Sequence, residues 1–429
     1  MTRAPGPKGN AVWGSLADFK ADSLGFLASA VRDHGDIVRL RFGPVTAHLI
    51  NRPEYVDHVL SRNGANYDKA TRSARRIAAT TGDSLLSANE RAWQRHRRLI
   101  QPAFQPRCFD GIGPVIDDLL LPMLARWQRA GRVDIVAEMM QLVIATAIRV
   151  LFSSDVAPER ISQPLEIILA DTWRRIESAA DASMLSPRFH RAEFTQAVAQ
   201  IDAIVFDLIS KRRAAAHRPD DVLTRLLAAH DGTKGEAQLS DKELRDAAIT
   251  LLLAGHETTA NAVAWAFIRT SGGGVQSDPA LIFAEAIRLY PSIWVIERRA
   301  KRHDTIGSFE IPRGSSVLIS PYLLHRHPDF WHEPEVFAPS RFVEGLPRPR
   351  DGYMPFGLGQ HRCVGLHLAN RIATHILERV FARFTLHLLP GQPLETIAGI
   401  TLRHKAPVWM QVAPGTLTES GPATGGNQR

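Results

Sequence analysis

One cysteine lies in the segment Phe356-Gly-Leu-Gly-Gln-His-Arg-Cys363-Val-Gly365, directly before a helical pattern. A sulfur at the start of a helix lies near free backbone N–H groups and the positive end of the helix dipole, which predicts a lowered thiol pKa and a stabilised thiolate. Three positions carry no side chain, so a flat ligand could approach the backbone closely there: Gly357, Gly359 and Gly365. His361 and Arg362 could bind carboxylates of such a ligand. An inert buried cysteine and a redox or nucleophilic cysteine are alternatives, but neither accounts for Phe356 and the whole spacing.

A second group of candidate residues is the run Ala254-Gly255-His256-Glu257-Thr258-Thr259, in the middle of a long helical pattern. Helical spacing places Ala254, Gly255 and Thr258 on one small, apolar face that carries a single hydroxyl. The Thr258 hydroxyl can also bond to the carbonyl of Ala254 and loosen the helix locally. One interpretation is a pocket for a small polar ligand with Glu257 as a proton source. The other is a threonine that satisfies its own helix beside an exposed glutamate.

Two further pairs have helical spacing. Trp93 and Arg97 lie four residues apart, so a helix would bring the indole and the guanidinium to one face. An amphipathic helix with a basic surface would give the same pattern. Glu285 and Arg288 lie three residues apart among apolar neighbours, which predicts a buried ion pair with a structural role.

The composition excludes several classes of protein. Charged residues make up 22% and apolar residues 45% of the 429 positions, which is typical of a globular chain. Two cysteines, Cys108 and Cys363, are too few for a disulfide scaffold, and Cys108 is expected to be a small core residue. The net charge of +8 comes from scattered arginines without a nucleic-acid motif, so acidic protein partners are expected and nucleic acid is not. With no signal peptide and no apolar run of about 18 to 20 residues, a soluble cytoplasmic protein without a membrane span is expected.

The hydrophobic periodicity predicts a mainly α protein with a small β portion. A long helix from Asp241 to about Arg269 is indicated by the capping-box spacing of Ser240 and Glu243. The other predicted elements are a helix near 22–33, a helix from about Gly365 to Phe384, two strands joined at Gly43-Pro44 (Asp36–Phe42 and Val45–Ile50), and short strands within 293–321 and 399–412. We expect a single domain over 1–414 and a disordered tail over 415–429.

The cysteine segment resembles the F-x-x-G-x-[RH]-x-C-x-G signature of the cytochrome P450 (haem-thiolate) family, which it matches at Phe356, Gly359, His361, Cys363 and Gly365. The resemblance extends from about residue 10 to 412. It implies the P450 fold, with haem between the long central helix and the helix that follows the cysteine loop. It also implies haem b (heme b, iron protoporphyrin IX) with Cys363 as the metal ligand, and O2 as co-substrate. In this family His361 would contact a haem propionate and Phe356 would shield the sulfur.

The central helix resembles the family's A-G-x-[DE]-T motif. By that resemblance Glu257 and Thr258 are catalytic residues that deliver protons to dioxygen, and the neighbouring Thr259 could substitute in part. Ala254 and Gly255 would lie against the haem.

Two more resemblances concern the propionates and the scaffold. Trp93 and Arg97 match W-x-x-x-R and would bind the propionates, together with Arg298 or its neighbour Arg299. Glu285, Arg288 and Arg341 resemble the family's structural E-x-x-R network.

The chain departs from the family pattern between Thr258 and Glu285, which are only 27 positions apart (285 − 258). The family normally has a longer run there, with one or two extra helices. The three glycines Gly272–Gly274 predict a tight bridge, so the segment 270–280 is unusually short.

The resemblance implies a soluble bacterial-type monooxygenase that inserts one oxygen atom of O2 into a small apolar substrate. A terpenoid, fatty-acid or aromatic scaffold of secondary metabolism is expected. The lining of the substrate pocket is expected from five segments: Ser84–Leu86, 165–210, Ile249–Leu253, Ile293–Ile296 and Ile400–Leu402. The alternatives are P450-type oxidative coupling or cyclisation without oxygen insertion, a non-catalytic haem-binding protein, and a non-haem cysteine enzyme.

Electrons are expected from separate proteins, since the chain contains no flavin or dinucleotide fingerprint. The partners would be a ferredoxin and a ferredoxin reductase, with electrons ultimately from NAD(P)H and the enzyme itself a monomer. A basic face could receive an acidic ferredoxin, although a merely solvated surface would have the same composition: Arg95, Arg98, Arg107 and Arg362.

Overall fold

The structure is a computed structural model that describes residues 2–177, 191–229, 239–274, 277–347 and 351–415. The expected tail over 415–429 therefore lies outside the described residues except for Gly415. Residues 178–190 of the expected pocket lining and residues 275–276 of the short segment also lie outside them.

The described chain is mainly helical with a small β portion, as the sequence predicts. The helices are α1 Leu16–Ala21, α2 Ser23–His34, α3 Pro53–Asp57, α4 Arg72–Thr81, α5 Glu90–Ile100, α6 Gly113–Ala130, α7 Ile135–Phe152, α8 Glu159–Glu177, α9 Arg191–Ala214, α10 Val222–Ala228, α11 Asp241–Gly255, α12 Glu257–Arg269, α13 Pro279–Leu289, α14 Pro321–Leu324 and α15 Leu366–Phe381. The strands are β1 Ile37–Phe42, β2 Val45–Ile50, β3 Tyr67–Asp68, β4 Arg132–Asp134, β5 Ile296–Ala300, β6 Asp304–Ile306, β7 Phe309–Ile311, β8 Ser316–Ile319, β9 Phe384–Leu388, β10 Thr396–Ala398, β11 Leu402–His404 and β12 Trp409–Pro414.

The largest sheet has the strand order β1-β2-β8-β5-β3. Its first two strands form the hairpin that the sequence predicts, with Gly43 at φ +58° in the turn. The last pair is antiparallel and sets Asp68 opposite Arg299, so the residues that follow β3 lie beside β5. Three smaller sheets have the orders β4-β12-β9, β6-β7 and β10-β11.

The apolar core is centred on α7, which contacts α6, α11 and α12. By length and composition alone, its 18 residues are apolar enough to cross a membrane, and 61% of them are buried inside the fold. The expectation that no apolar run reaches this length is therefore wrong. A helix surrounded by other helices needs apolar side chains on nearly every side, just as a lipid-exposed helix does.

Glu285 and Arg288 on α13 form a fully buried ion pair, with each side chain 0% exposed. The guanidinium donates to both carboxylate oxygens, at 2.7 and 2.9 Å. Arg341 completes the predicted triad by donating to Glu285 Oε1 at 3.0 Å. The remaining N–H groups of Arg288 donate to the carbonyl oxygens of His325, Pro334 and Val336. The guanidinium is therefore fully hydrogen-bonded, as a buried charge must be to be stable.

The same network is joined to the start of the cysteine loop. His325 lies between the two: its Nδ1 is 3.0 Å from the carbonyl oxygen of Arg288, and its Nε2 accepts from the backbone N–H of Met354 at 2.9 Å. Burial lowers the His325 pKa to about 3, so the ring stays neutral and keeps one acceptor nitrogen. Tyr353 adds a second tie, since its hydroxyl donates to the Ala284 carbonyl of α13 at 2.9 Å.

A short bridge connects α12 with α13. Ser271–Gly273 form a single 3₁₀ turn, in which Gly272 and Gly273 have φ values of +80° and +71°. The turn lies against β9, where the Leu388 N–H donates to the Ser271 hydroxyl at 2.7 Å. Positive φ angles at two successive positions explain why the sequence places glycines there.

Replacing Glu285 by glutamine is expected to lower the free energy of unfolding by about 3–5 kcal/mol, because Arg288 and Arg341 would lose their buried counter-ion. Urea denaturation of the purified protein, followed by circular dichroism, measures the change. Glu395→Gln is the matched control: Glu395 pairs with Lys405 at 2.6 Å on the surface, where both side chains are 58% exposed. That variant is expected to lose less than about 1 kcal/mol. Equal losses in the two variants would contradict a special role for the buried pair.

Candidate functional site

The cysteine loop is closed by its own backbone. The Cys363 N–H donates to the Phe356 carbonyl at 2.9 Å, and α15 begins three residues after the cysteine. Gly359 has φ +70°, and a Cβ there would lie 2.0 Å from the carbonyl oxygen of Leu60. The expectation that Gly359 makes room for a ligand is therefore wrong, because that room is taken by backbone of the π-helical turn His58–Arg62. Gly357, at φ +73°, does face open space.

Cys363 has solvent-accessible surface, yet protein surrounds it densely. Its accessible surface therefore faces a space inside the fold. Burial raises the pKa of the thiol, although the N–H groups of Gly365 and Leu366 and the charges of Arg97 and Arg362 act in the opposite direction. The expected lowering of this pKa is thus wrong, since desolvation outweighs the helix start. A metal ion bound to the sulfur would favour the thiolate.

Three cations lie around His361: Lys69, Arg97 and Arg298, called here the cationic cluster. Burial and then the charges of the cluster lower the His361 pKa to about 2. Burial, Arg298 and Arg97 also lower the Lys69 pKa well below its usual value, and burial lowers the Arg298 pKa to about 10. Within the described residues no carboxylate forms an ion pair with any member of the cluster. Glu297 and Asp68 act electrostatically on Arg298 without forming an ion pair with it. The three cations therefore favour binding of an anionic group.

His361 supports the same conclusion, because its Nδ1 is buried without a hydrogen-bond partner. The His361 ring packs on Trp93, with 4.0 Å between the ring centroids. The Lys69 Nζ lies 5.5 Å from the centroid of the Trp93 ring and donates a hydrogen bond to the Leu85 carbonyl. Arg97 donates to the Arg362 carbonyl at 2.7 Å and so ties α5 to the cysteine loop. A haem with its two propionate carboxylates fits this donor set and the adjacent thiol.

The strand register distinguishes Arg298 from Arg299, the two candidate ligands of a propionate. Arg299 forms a two-point ion pair with its cross-strand neighbour Asp68, with distances of 3.1 and 2.7 Å. Arg298 projects to the opposite face of β5, where it acts electrostatically on Lys69 and His361.

The long helix is broken where the sequence predicts continuity. α11 starts at Asp241 with the predicted capping box of Ser240 and Glu243, but it ends at Gly255, and α12 starts at Glu257. His256 lies between them at φ −97°, ψ −59°, and the Thr258 hydroxyl donates to the Ala254 carbonyl at 2.7 Å. A side chain that takes a helical carbonyl is a recognised cause of such a break.

Open space lies beside this break. A Cβ at Gly255 would meet no atom within 4 Å, Ala254 is exposed and Thr258 is half-buried, although α11 and α12 are otherwise core helices. Thr259 is only 4% exposed and does not share this open face. The predicted lining residues Ile249–Leu253 are also buried, so the exposed part of the helix begins one residue later.

Glu257 is 4% exposed, and its Oε2 accepts from the Thr401 hydroxyl at 2.7 Å. Thr401 lies just before β11 and is itself 5% exposed. The carbonyl of Thr258 accepts from the Ser292 hydroxyl at 2.7 Å. The acid of the predicted pair is therefore anchored to a strand from the C-terminal part of the chain.

Sequence reasoning missed Lys69 as a site residue. It placed Thr401 in the pocket lining, within Ile400–Leu402, but did not identify it as a partner of Glu257. Each comes next to its partners only through the packing of strands distant in sequence, β3 against β5 and β11 against α12. The available signal for Lys69 is weak: a lysine directly after a short strand is expected to be exposed, whereas this one is 8% exposed.

The outer side of the cysteine loop forms a groove of about 690 Å³. It is lined by Trp93, Gln94, Arg97, Arg98, Gln101, Gly359, Gln360 and Arg362. Two of the four arginines assigned to a basic face, Arg98 and Arg362, lie there. Arg95 does not, because it forms an ion pair with Glu243 at the start of α11.

Comparison with known proteins agrees with this geometry. The cytochrome P450 family matches residues 4–270 and 281–408, and the unmatched residues between these two ranges include the whole glycine bridge. A cyclooctatin synthase of Streptomyces melanosporofaciens is 31% identical over 399 residues, which is 86% of each chain. The cyclooctat-9-en-7-ol 5-monooxygenase of the same organism is 28% identical over 406 residues, again 86% of each chain. A pentalenene oxygenase of Streptomyces avermitilis is 27% identical over 412 residues, 88% of this chain and 90% of that protein.

The cysteine loop is tied to a buried charged scaffold, and the adjacent cationic cluster suits an anionic ligand. Together with a family match over most of the chain, these features lead to one conclusion: the chain belongs to the cytochrome P450 family of haem-thiolate oxidoreductases.

Proposed function

We propose that this chain is a monooxygenase that binds haem b between α12 and the cysteine loop. The observation that carries the proposal is the cationic cluster around His361, whose Nδ1 is buried without a partner, next to the Cys363 thiol. Lys69, Arg97 and Arg298 would bind the propionates, with Trp93 packed beneath His361. Cys363 would be the iron ligand, and the N–H groups of Gly365 and Leu366 would stabilise its thiolate.

Bound haem would supply the dioxygen-binding iron and the redox chemistry of oxygen insertion. The side chains of α12 would control protons. The Thr258 hydroxyl, which donates to the Ala254 carbonyl, keeps its oxygen available as an acceptor at the edge of the open space. Glu257, which directly precedes Thr258, would supply the proton, and the hydrogen bond from Thr401 would set the orientation of its carboxyl group.

The proposed substrate is a cyclic terpenoid, from among the three scaffolds that the sequence suggests. The names of two relatives denote oxygenation of an alkenol and of an alkene, cyclooctat-9-en-7-ol and pentalenene. Apolar side chains with exposed surface on three of the expected lining segments support an apolar substrate: Leu86, Ile167 and Ile293.

The proposed electron donor is an acidic ferredoxin that binds in the groove beside the cysteine loop, in the cytoplasm of a bacterium. Arg97, Arg98 and Arg362 give that groove its positive charge. Charges at such a surface mainly accelerate and orient the encounter with a partner of opposite sign.

Replacing Cys363 by alanine is expected to abolish the red-shifted carbon monoxide band of the dithionite-reduced protein, because the thiolate ligand is lost. Cys108→Ala is the matched control, since Cys108 is half-buried and its thiol donates to the Pro102 carbonyl at 3.6 Å. Visible spectra of wild type and both variants make the comparison. A wild-type band that survives in Cys363→Ala would contradict the proposed ligand.

Replacing Thr258 by alanine is expected to raise several-fold the share of reducing equivalents that appears as hydrogen peroxide, because a hydroxyl at the open face is removed. Thr259→Ala removes a hydroxyl from the adjacent buried position and is expected to leave that share nearly unchanged. Peroxide and NAD(P)H are quantified in the same reconstituted reactions. A larger peroxide share in Thr259→Ala than in Thr258→Ala would contradict the proposed role of Thr258.

Turnover of a cyclic terpene under isotopically labelled dioxygen is expected to give a product with one labelled oxygen atom, as mass spectrometry would show. A dehydrogenated or coupled product without label would instead identify oxidative coupling or cyclisation. Failure to consume any terpene, with a normal carbon monoxide spectrum, would overturn the substrate class and leave the haem proposal intact.

A further inference from the structure

A second cleft lies at the β1 edge of the largest sheet. Its described lining residues come from three places: the N-terminal segment before α1, the hairpin of β1 and β2, and the segment from β7 to β8. Its volume of about 480 Å³ is in the range of pockets that bind small molecules. We call it the sheet-edge cleft, and it shares no described residue with the proposed haem site.

The strand register brings polar side chains to this cleft. Arg39 and His48 lie directly opposite each other in the antiparallel pair of β1 and β2, so their side chains project from the same face of the sheet. Two residues away on that face, Ile37 lies opposite Ile50, and both are buried in an apolar cluster. The face is therefore apolar at one end and polar at the other, and the cleft lies over the polar end.

The N-terminal segment is fixed to the sheet on both sides of Arg3. The Glu310 N–H donates to the Thr2 carbonyl at 3.2 Å, and the Arg39 N–H donates to the Pro5 carbonyl at 2.7 Å. Ala4, between these two points, is 7% exposed and packs into the same apolar cluster. The backbone at Arg3 is thus held beside the cleft, although its side chain is exposed.

Positive charge predominates in the lining of the cleft. Arg3, Arg39 and Arg313 line it together with a single carboxylate, that of Glu310. Across the described parts of the chain, none of these four side chains forms an ion pair or a hydrogen bond. Glu310 therefore leaves the guanidinium groups free to bind a ligand, and their excess charge favours an anion.

The buried part of the cleft provides neutral hydrogen-bonding groups. His48 and Ser315 line it and are only 1% and 5% exposed, and the His48 Nδ1 is buried without a partner. Burial and then the charge of Arg39 lower the His48 pKa to about 4, so the ring is neutral and carries one N–H donor. A buried imidazole without a protein partner is unusual and indicates that a bound molecule completes the site.

A phosphate group suits this lining better than a carboxylate does. A phosphate ester presents three strong acceptor oxygens, and the fork of a guanidinium matches two of them at once. The arginines come from three separate segments, so they can approach such a group from different sides. The Glu310 carboxylate would repel a second anionic group but can accept a hydrogen bond from a hydroxyl.

We propose that the sheet-edge cleft binds the phosphate group of a small phosphorylated and hydroxylated molecule. Arg3, Arg39 and Arg313 would donate to the phosphate oxygens, and Glu310 would accept from a hydroxyl of the same molecule. Both a soluble metabolite and the headgroup of a lipid have this chemistry, and the tests below distinguish them. The inference is independent of haem binding and of the proposed monooxygenase activity.

The first test is calorimetric titration of the haem-loaded enzyme with glycerol phosphate at low salt. Saturable binding at one site is expected, with an affinity several-fold lower in Arg39→Gln and in Arg313→Gln. Arg98→Gln is the matched control, because Arg98 lies in the positively charged groove beside the cysteine loop and outside the sheet-edge cleft. That variant is expected to bind like wild type. No binding, or weaker binding only in Arg98→Gln, would overturn the proposal.

The second test uses a change of opposite sign. Glu310→Gln removes the negative charge from the lining and is expected to bind inorganic phosphate several-fold more tightly than wild type does. A loss of local structure would weaken binding instead, so this variant separates an electrostatic effect from a structural one. An unchanged or lower affinity for inorganic phosphate in Glu310→Gln would contradict binding in this cleft.

Vesicles identify the source of the phosphate group. Sedimentation of the enzyme with vesicles of phosphatidic acid and phosphatidylcholine, lost in Arg313→Gln, would identify a lipid headgroup. Binding of glycerol phosphate without sedimentation would identify a soluble ligand. Sedimentation that persists in both Arg39→Gln and Arg313→Gln, without binding of glycerol phosphate, would refute the proposal.

A crystal structure of the haem-loaded wild type with glycerol phosphate decides the matter if a variant fails to fold. Phosphate within hydrogen-bond distance of Arg39 and Arg313 is expected. Phosphate bound only outside the sheet-edge cleft would overturn the inference. Variants that fold are expected to retain the carbon monoxide spectrum of the wild type, since none of these residues contributes to the proposed haem site.

Discussion

The ion pair between Glu285 and Arg288 is the constraint on which the site depends. Both side chains are fully buried, and a pair of this kind is not intrinsically more stabilising than apolar residues of the same volume. What it adds is position: the guanidinium holds the carbonyl oxygens of His325, Pro334 and Val336 at fixed places around α13. Through His325 this order reaches Met354, two residues before the cysteine loop begins. The sulfur is therefore placed by a rigid scaffold, although it lies in a loop.

Opposite electrostatic conditions meet across the site. Around His361 lie three cations, which favour an anionic ligand. Around Cys363 burial raises the thiol pKa, so a metal ion at the sulfur would favour the thiolate. Under the proposed function, both conditions would favour the binding of haem at this site.

Features set by local sequence were predicted well, and features set by distant contacts were not. The Ser240 capping box, the β1–β2 hairpin and the helix after Cys363 depend on residues within a few positions of one another. The sequence predicted the Thr258 bond to the Ala254 carbonyl and a local loosening of the helix, but not that the helix would be interrupted at His256. Lys69 was missed because strand register, which no single segment encodes, brings it to the site. The contact of Thr401 with Glu257 was missed because it depends on the packing of β11 against α12. The same register separates Arg298 from Arg299, two residues that the sequence alone could not distinguish.

The glycine bridge after α12 has a practical consequence for engineering. Gly272, Gly273 and Gly274 are exposed, and a Cβ at Gly274 would touch nothing within 4 Å. The bridge is anchored at one end by Ser271 on β9 and lies outside the scaffold that fixes the cysteine loop. Exposed loops of this kind tolerate inserted sequence better than packed elements do. The bridge is accordingly the place at which a tethered electron donor or an immobilisation handle could be grafted without reshaping the haem environment.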